Sequence, residues 1–301
     1  MRPLPPRPLP LPFEDPPYRM AMGLTACPEA EWFALDDHYP AEMAERRALL
    51  AARHAEVFAT TPGSEDARAE TLALLATHLP RHHPEWFASE GSWLENRLTG
   101  ERWNLAAPPC DPLELAGRLV QDDLCLIAPG ARLAAAIVCF PSRWRLSEKI
   151  GRPLMEVHGP VPLYAERLGA AVDRFMGALK PGRIALRRNW SLTDDGALFQ
   201  PTGKFRGERD ASITAGNAGA RLFLRSERQT FRLLPRSGAV LFGIRVYSHP
   251  IAEVVRVPGA AHRLAAAARA LPEAVGRYKS FPVYGDALLA HLDAAAGAGA
   301  G

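Results

Sequence analysis

The sequence predicts an α+β fold: an antiparallel sheet of five or six strands, with helices inserted mid-chain and packed at both ends. Three observations carry this. Apolar β-type runs come in pairs around turn signals, at Glu95–Leu105, Leu124–Phe140 and Leu222–Tyr247. Helical periodicity falls in blocks before, between and after those pairs, and does not alternate with single strands. No G-x-G-x-x-G, Walker or G-x-S-x-G run is present, which removes Rossmann, P-loop and α/β-hydrolase readings.

Taken in order, residues 1–12 alternate Pro with Leu and Arg, predicting an extended or disordered lead. The body is expected over 13–290. Tyr18, Met20, Met22, Leu24, Trp32 and Phe33 suit an arm lying on that body. Pro40 to Ala59 reads as a helix, and Ser64-Glu65-Asp66 offers an N-cap and early acids for a second helix running to Pro80. His82-His83 then falls at a helix end, where a solvated position is expected. Leu98-Thr99-Gly100-Glu101 turns a hairpin that includes Glu95 and Asn96, and Asp111-Pro112 opens a short helix through Leu119. Pro129-Gly130 joins the second pair of strands. Tyr164 to Leu179 is a strong helix ended by Lys180-Pro181-Gly182. A Gly/Thr/Ala-rich stretch from Asp194 to Ala220 is long enough to be a mobile, functional loop or lid. The third pair of strands turns at Pro235-Arg236-Ser237-Gly238. From Pro250 the chain reads as helical, with 291–301 an Ala/Gly tail expected to fray.

With 301 residues the chain can bury one large core. A net charge of +3 without a long basic run argues against nucleic acid as a partner. Cys27, Cys110, Cys125 and Cys139 form no C-x-x-C or C-x-x-C-H. That spacing speaks against structural zinc, an iron–sulfur cluster or covalent c-type heme, and fits reduced thiols in a cytoplasm. No window approaches the roughly 18 apolar residues of a membrane span, and no apolar targeting core begins the chain.

The chemistry concentrates in three runs. His158 lies among Leu154, Met155, Val157 and Val161, followed at once by Gly159-Pro160-Val161-Pro162. It reads either as a core histidine satisfied by backbone or as a metal ligand. No second His, Cys or carboxylate is near enough in sequence to complete a site, so a bound metal must bring most of its own ligands, as heme does. His249, before Pro250 at a strand exit, is its rival. Arg187, Arg188, Asn189 and Trp190 offer either structural pairing or donors for carboxylates. Arg225-Ser226-Glu227-Arg228-Gln229-Thr230 interrupts an apolar strand. Alternation puts Arg225, Glu227 and Gln229 on one face and Ser226, Arg228 and Thr230 on the other. The run is either a solvated edge or a polar pocket wall.

These runs carry a resemblance. Lys149-Ile150-Gly151 through Val157-His158-Gly159-Pro160-Val161-Pro162, then Arg188-Asn189-Trp190-Ser191, then Arg225 to Thr230 with Leu233-Leu234-Pro235, then Phe242-Gly243-Ile244-Arg245-Val246-Tyr247 resemble the heme-dependent oxidative N-demethylase α-subunit family, in the family's order, from about Phe13 to about Ala290. The resemblance implies a PAS-like domain holding non-covalent heme b, with His158 as axial ligand and Arg188 and Asn189 near the cofactor. It implies Arg225, Glu227 and Thr230 as catalytic pocket residues, although Arg225 and Thr230 share a face only if a bulge intervenes. The implied reaction is oxidative demethylation of a small secondary amine such as dimethylamine, monooxygenase-like in its use of O2. Electrons would come from NADPH through a partner subunit with FMN and a [2Fe–2S] cluster, and a tetrahydrofolate-binding subunit would capture formaldehyde. The loop from Asp194 to Gly219 departs from the family's pattern. A heme- or gas-sensing module without turnover is the competing reading. No heptad signalling helix or output domain is visible to favour it.

Overall fold

The computed structural model describes residues 2–13 and 17–298. In chain order the strands are β1 (Thr25–Ala26), β2 (Phe58–Thr60), β3 (Phe87–Glu90), β4 (Trp93–Asn96), β5 (Glu101–Asn104), β6 (Asp123–Ala128), β7 (Arg132–Ile137), β8 (Ile184–Thr193), β9 (Phe223–Leu233) and β10 (Val240–Pro250). The helices are α1 (Tyr39–Val57), α2 (Glu65–His82), α3 (Pro112–Gly117), α4 (Leu154–Val157), α5 (Ala170–Ala178), α6 (Ala218–Arg221), α7 (Ile251–Val254), α8 (Ala260–Arg269), α9 (Glu273–Tyr278) and α10 (Gly285–Ala298).

Seven strands form one antiparallel sheet, ordered β1-β8-β9-β10-β6-β7-β2. The expected five or six strands differ from this set: they included β4–β5 and omitted β8, whose polar Arg187–Ser191 run hides a strand pattern, and β1 and β2, only two and three residues long. The hairpin β4–β5 exists as expected, but pairs with β3 in a separate three-stranded sheet. The hairpins β6–β7 and β9–β10 turn at Gly130 and Gly238, whose positive φ values of 85° and 70° suit glycine. Pairing of β8, β9 and β10 runs without a bulge, so the two faces of β9 are fixed along its whole length.

The rear face of the sheet carries Leu124, Leu126 and Leu241, all at most 1% exposed, under Trp32, Phe33, Met43 and Leu75. Burial of each such leucine is worth ~1.5–3 kcal/mol. Asp111 caps α3 by accepting from the Leu113 amide, as its place before Pro112 predicts. Ser64 does not cap α2: its hydroxyl donates to the Thr61 carbonyl. The lead at 2–13 is extended and attached. Trp86 Nε1 donates to the Arg2 carbonyl at 2.9 Å, the Asp37 amide donates to Pro5, and Phe13 is buried against Trp190. At the other end α10 carries the helix to Ala298, where a frayed tail was expected, and 299–301 lie outside the described residues.

Candidate functional site

The register places Arg187, Asn189 and Ser191 of β8, Arg225, Glu227, Gln229 and Phe231 of β9, and Phe242 and Ile244 of β10 on one face. They floor a cavity of about 380 Å³, within the ~300–1,000 Å³ usual for small-molecule sites. Its walls are apolar near α4 and α5, with Leu154, Val157, Val161, Leu168 and Val172, and Met20 and Met22 from the arm. Lys204 from the long loop and Tyr278 and Lys279 at the end of α9 close the other side.

His158 is set in this wall by short-range structure. Residues 151–154 are pinned to β7 through Gly151–Leu133, Leu133–Arg152 and Leu154–Ala131 backbone bonds of 2.8–3.0 Å. The single turn α4 follows and stops at His158. The ring lies flat on Tyr164, centroids 4.3 Å apart and planes 11° apart. Nδ1 is 2.8 Å from the Leu154 carbonyl. A carbonyl only accepts, so Nδ1 carries the proton and the Nε2 lone pair is left free. Nε2 has no hydrogen-bond partner among the described residues. Burial, reinforced by Lys149, Arg187 and Lys204, holds the imidazole pKa down to about 4, so the ring is neutral at pH 7.

The rest of the lining is strongly cationic. Arg187 is half-buried, its Nε finds no partner among the described residues, and desolvation lowers its pKa. Lys204 hydrogen-bonds the Tyr278 hydroxyl and sits 4.2 Å above that ring. Lys279 donates to the Trp190 carbonyl at 2.7 Å. Burial brings both lysines down to about 8. Against these stands Glu227, which accepts from Ser142 Oγ at 2.5 Å, Gln229 Nε2 at 2.7 Å and Asn189 Nδ2 at 3.4 Å. Its two oxygens hold about four acceptor positions, so one remains open.

Arg225 borders the cavity, but its donors are committed. Nε reaches Ser142, Nη1 the Ala197 carbonyl, and Nη2 the carbonyls of Phe140, Pro141 and Leu198. It ties the 140–142 and 197–198 segments together behind Glu227. Thr230 lies on the opposite face of β9, and unbroken pairing leaves no bulge to turn it; its hydroxyl is buried in the rear layer. Arg188 stands opposite Arg228 and belongs by register to the rear face, although it borders the cavity and is exposed. Asn189 faces the cavity beside Glu227. His249 cannot serve as a ligand as it stands: Nδ1 faces Glu253 at 3.1 Å and Nε2 the Pro8 carbonyl at 3.0 Å. His82 and His83 are half-buried and not solvated as expected. The loop from 194 onward is tied down, with Asp194 held by Arg143 and Arg206 at 2.5 Å each.

Tyr164, Lys204, Tyr278 and Lys279 were not foreseen. A signal for three cavity residues was present in the composition: the chain has four lysines among 36 Lys and Arg, and Lys149, Lys204 and Lys279 all line this cavity. Where arginine is used almost everywhere else, the surviving lysines mark places that want a compact, titratable ammonium.

Fold and site together define a mixed α/β protein with a large antiparallel sheet, whose cavity combines one neutral imidazole, apolar walls and an excess of positive charge. The family described as Haem-dependent oxidative N-demethylase, alpha subunit-like, matches residues 23–289, and the chain belongs to it. It is therefore an oxidoreductase of the heme-dependent N-demethylase kind, and its family is named for one subunit of a multi-subunit enzyme. Among the described residues no helix is long and apolar enough to cross a membrane.

Proposed function

We propose that the cavity suits a non-covalent b-type heme, whose iron Nε2 of His158 would hold, and that the sheet and its helices form a PAS-like heme domain. The observation that carries this reading is the Nδ1–H bond to Leu154, which leaves Nε2 unpartnered toward an apolar cavity. The residues present suit the group. Leu154, Val157, Leu168, Val172, Phe231 and Phe242 offer an apolar wall for a macrocycle, and the half-buried Arg187, its Nε unpartnered among the described residues, offers a bidentate donor to a carboxylate. Heme, when bound, supplies the redox chemistry with O2 that side chains lack.

The chain's own residues bind, orient and hold protons. Glu227, fixed by Ser142, Gln229 and Asn189, keeps one acceptor position for the N–H of a secondary ammonium such as dimethylammonium. Arg225 positions that carboxylate through Ser142, which it contacts at 2.9 Å. Thr230, on the rear face, takes no direct part. Lys204 and Lys279, with pKa values of about 8, are able to exchange protons near neutral pH. In this reading electrons arrive from NADPH through a separate subunit bearing FMN and a [2Fe–2S] cluster. A tetrahydrofolate-binding subunit takes the formaldehyde, and the assembly is cytoplasmic.

The test is the absorption spectrum of the purified protein, with and without dimethylamine. Wild type should show a Soret band that responds to the amine. His158→Ala should purify with most of its heme lost; full heme content and an unchanged band in that variant would remove the assignment. Dimethylamine-stimulated NADPH oxidation with the reductase subunit separates the enzyme from a heme sensor.

A further inference from the structure

On the rear side of the sheet the last turn of α2 meets the 3-10 turn Glu29–Glu31. His78 and His82, four residues apart, point the same way from α2, with ring centroids 4.5 Å apart. Ligating atoms of Glu29, His78 and His82 all fall within 4.8 Å of one another. We propose that Glu29, His78 and His82 form a site for a divalent transition-metal ion of the Zn²⁺ class.

His78 is the least satisfied of the three side chains. It is 3% exposed, and neither ring nitrogen has a hydrogen bond among the described residues. Its Nδ1 lies 3.4 Å from Glu29 Oε1 without hydrogen-bond alignment. The faces around the ring are the edges of Trp32 and Phe33, at 5.0 and 5.8 Å, which give no acceptor. A buried imidazole whose nearest polar partner is a poorly aligned carboxylate has lost its water for little in return. A metal ion drawing on the ring's lone pair repairs that loss.

The surroundings suit a cation. The C-terminal end of α2 presents the negative pole of the helix. Two imidazoles and a carboxylate, with water in the fourth position, is a ligand set that Zn²⁺ accepts at ~2.0–2.2 Å. The Glu29 side chain is 40% exposed, which gives the ion a route in. Arg232 donates to Glu29 Oε1 at 2.5 Å and leaves Oε2 without a partner. It therefore acts as the outer hydrogen bond that orients a ligating carboxylate. Its positive charge lowers the affinity without blocking the site.

A metal here would clamp the arm to α2 on the face of the sheet away from His158. It is read as a strengthening element with no part in the reaction.

The experiment is calorimetric titration of Zn²⁺ alone into the chelator-treated full-length protein, with a thermal melt of the same samples. One equivalent should bind and raise Tm. His82→Ala and Glu29→Gln change partly exposed positions and spare the buried ring. Each should weaken Zn²⁺ by more than the ~10–100-fold that loss of an outer partner brings, with the metal-free circular dichroism spectrum unchanged. His262→Ala, on the exposed side of α8, should bind as wild type does. No Zn²⁺ binding by the folded wild type, or binding that survives both substitutions, overturns the proposal. Should His82→Ala fail to fold, Glu29→Gln decides alone.

Discussion

The two faces of β9 handle buried charge in opposite ways. On the rear, Arg228 donates to the carbonyls of Trp32 and Glu31, and neighbouring Arg245 is paired with Asp36 at 2.6 Å and Glu42 at 2.7 Å. On the front, among the described residues, the Nε of Arg187 has no partner, and Glu227 stands beside Lys204 and Lys279. The rear pairs are fully buried, whereas Arg187 and Glu227 on the front are half-buried. On the rear, paired arginines fix the arm in place, whereas the front is an electrostatic surplus that an anionic guest completes. Paired guanidinium groups report on architecture; unpaired ones report on ligands.

That contrast can be broken, and the largest effect should lie at the rear. Arg245→Ala removes the close cation from buried Asp36 and Glu42, leaving only the more distant Arg7, 3.8 Å from Glu42, and should cost ~3–5 kcal/mol of folding stability in a denaturant titration. A loss below ~1 kcal/mol would mean that the rear pairs are not what holds the arm.

Acid should come next. The folded His158 pKa of about 4 lies below the ordinary 6.5, so the unfolded chain binds the extra proton first as pH falls. Stability from this group is complete above about pH 6.5 and is lost down to about pH 4, amounting to about 3 kcal/mol for the heme-free protein. His78, also held to about 4, loses stability over the same window. A His158→Phe variant should show a visibly flatter stability–pH curve, and an unaltered curve would count against a buried neutral ring.

Arg187→Leu sharpens the comparison from the front. Stability of the ligand-free protein should stay within ~1 kcal/mol of wild type or rise, because a half-buried guanidinium with an unpartnered Nε is removed. Heme retention should fall in the same variant. A drop in stability as large as that of Arg245→Ala would erase the distinction between the faces. At the small end, Arg102→Ala breaks the exposed pair with Glu90 and should shift stability by less than ~0.5 kcal/mol.

Much of this contrast was legible in the sequence. Alternation alone put Arg225, Glu227 and Gln229 on one side and Ser226, Arg228 and Thr230 on the other, because a period of two survives any global arrangement. Turn chemistry located the hairpins for the same local reason. Sequence does not say which face meets a cavity; that depends on the arm at 27–35 covering the rear, a contact nearly 200 residues away in the chain. Alternation already separated Thr230 from Arg225 unless a bulge intervened, and the unbroken pairing of β9 leaves Thr230 on the rear face. Lys204 and Lys279 lie in a loop and after a late helix, and only tertiary packing joins them to His158. Their rarity among basic residues was the clue. His82 looked like a solvated helix end because nothing local announces that the Glu29 turn folds over it.

The amino-terminal lead has a practical consequence for handling the protein. Cutting the chain just before Phe13, a tempting edit for a proline-rich start, would remove the acceptor of the Trp86 indole N–H and the Pro8 carbonyl that meets His249. Such a shortened version should be less soluble and melt earlier. Affinity tags and fusion partners belong at the carboxyl end.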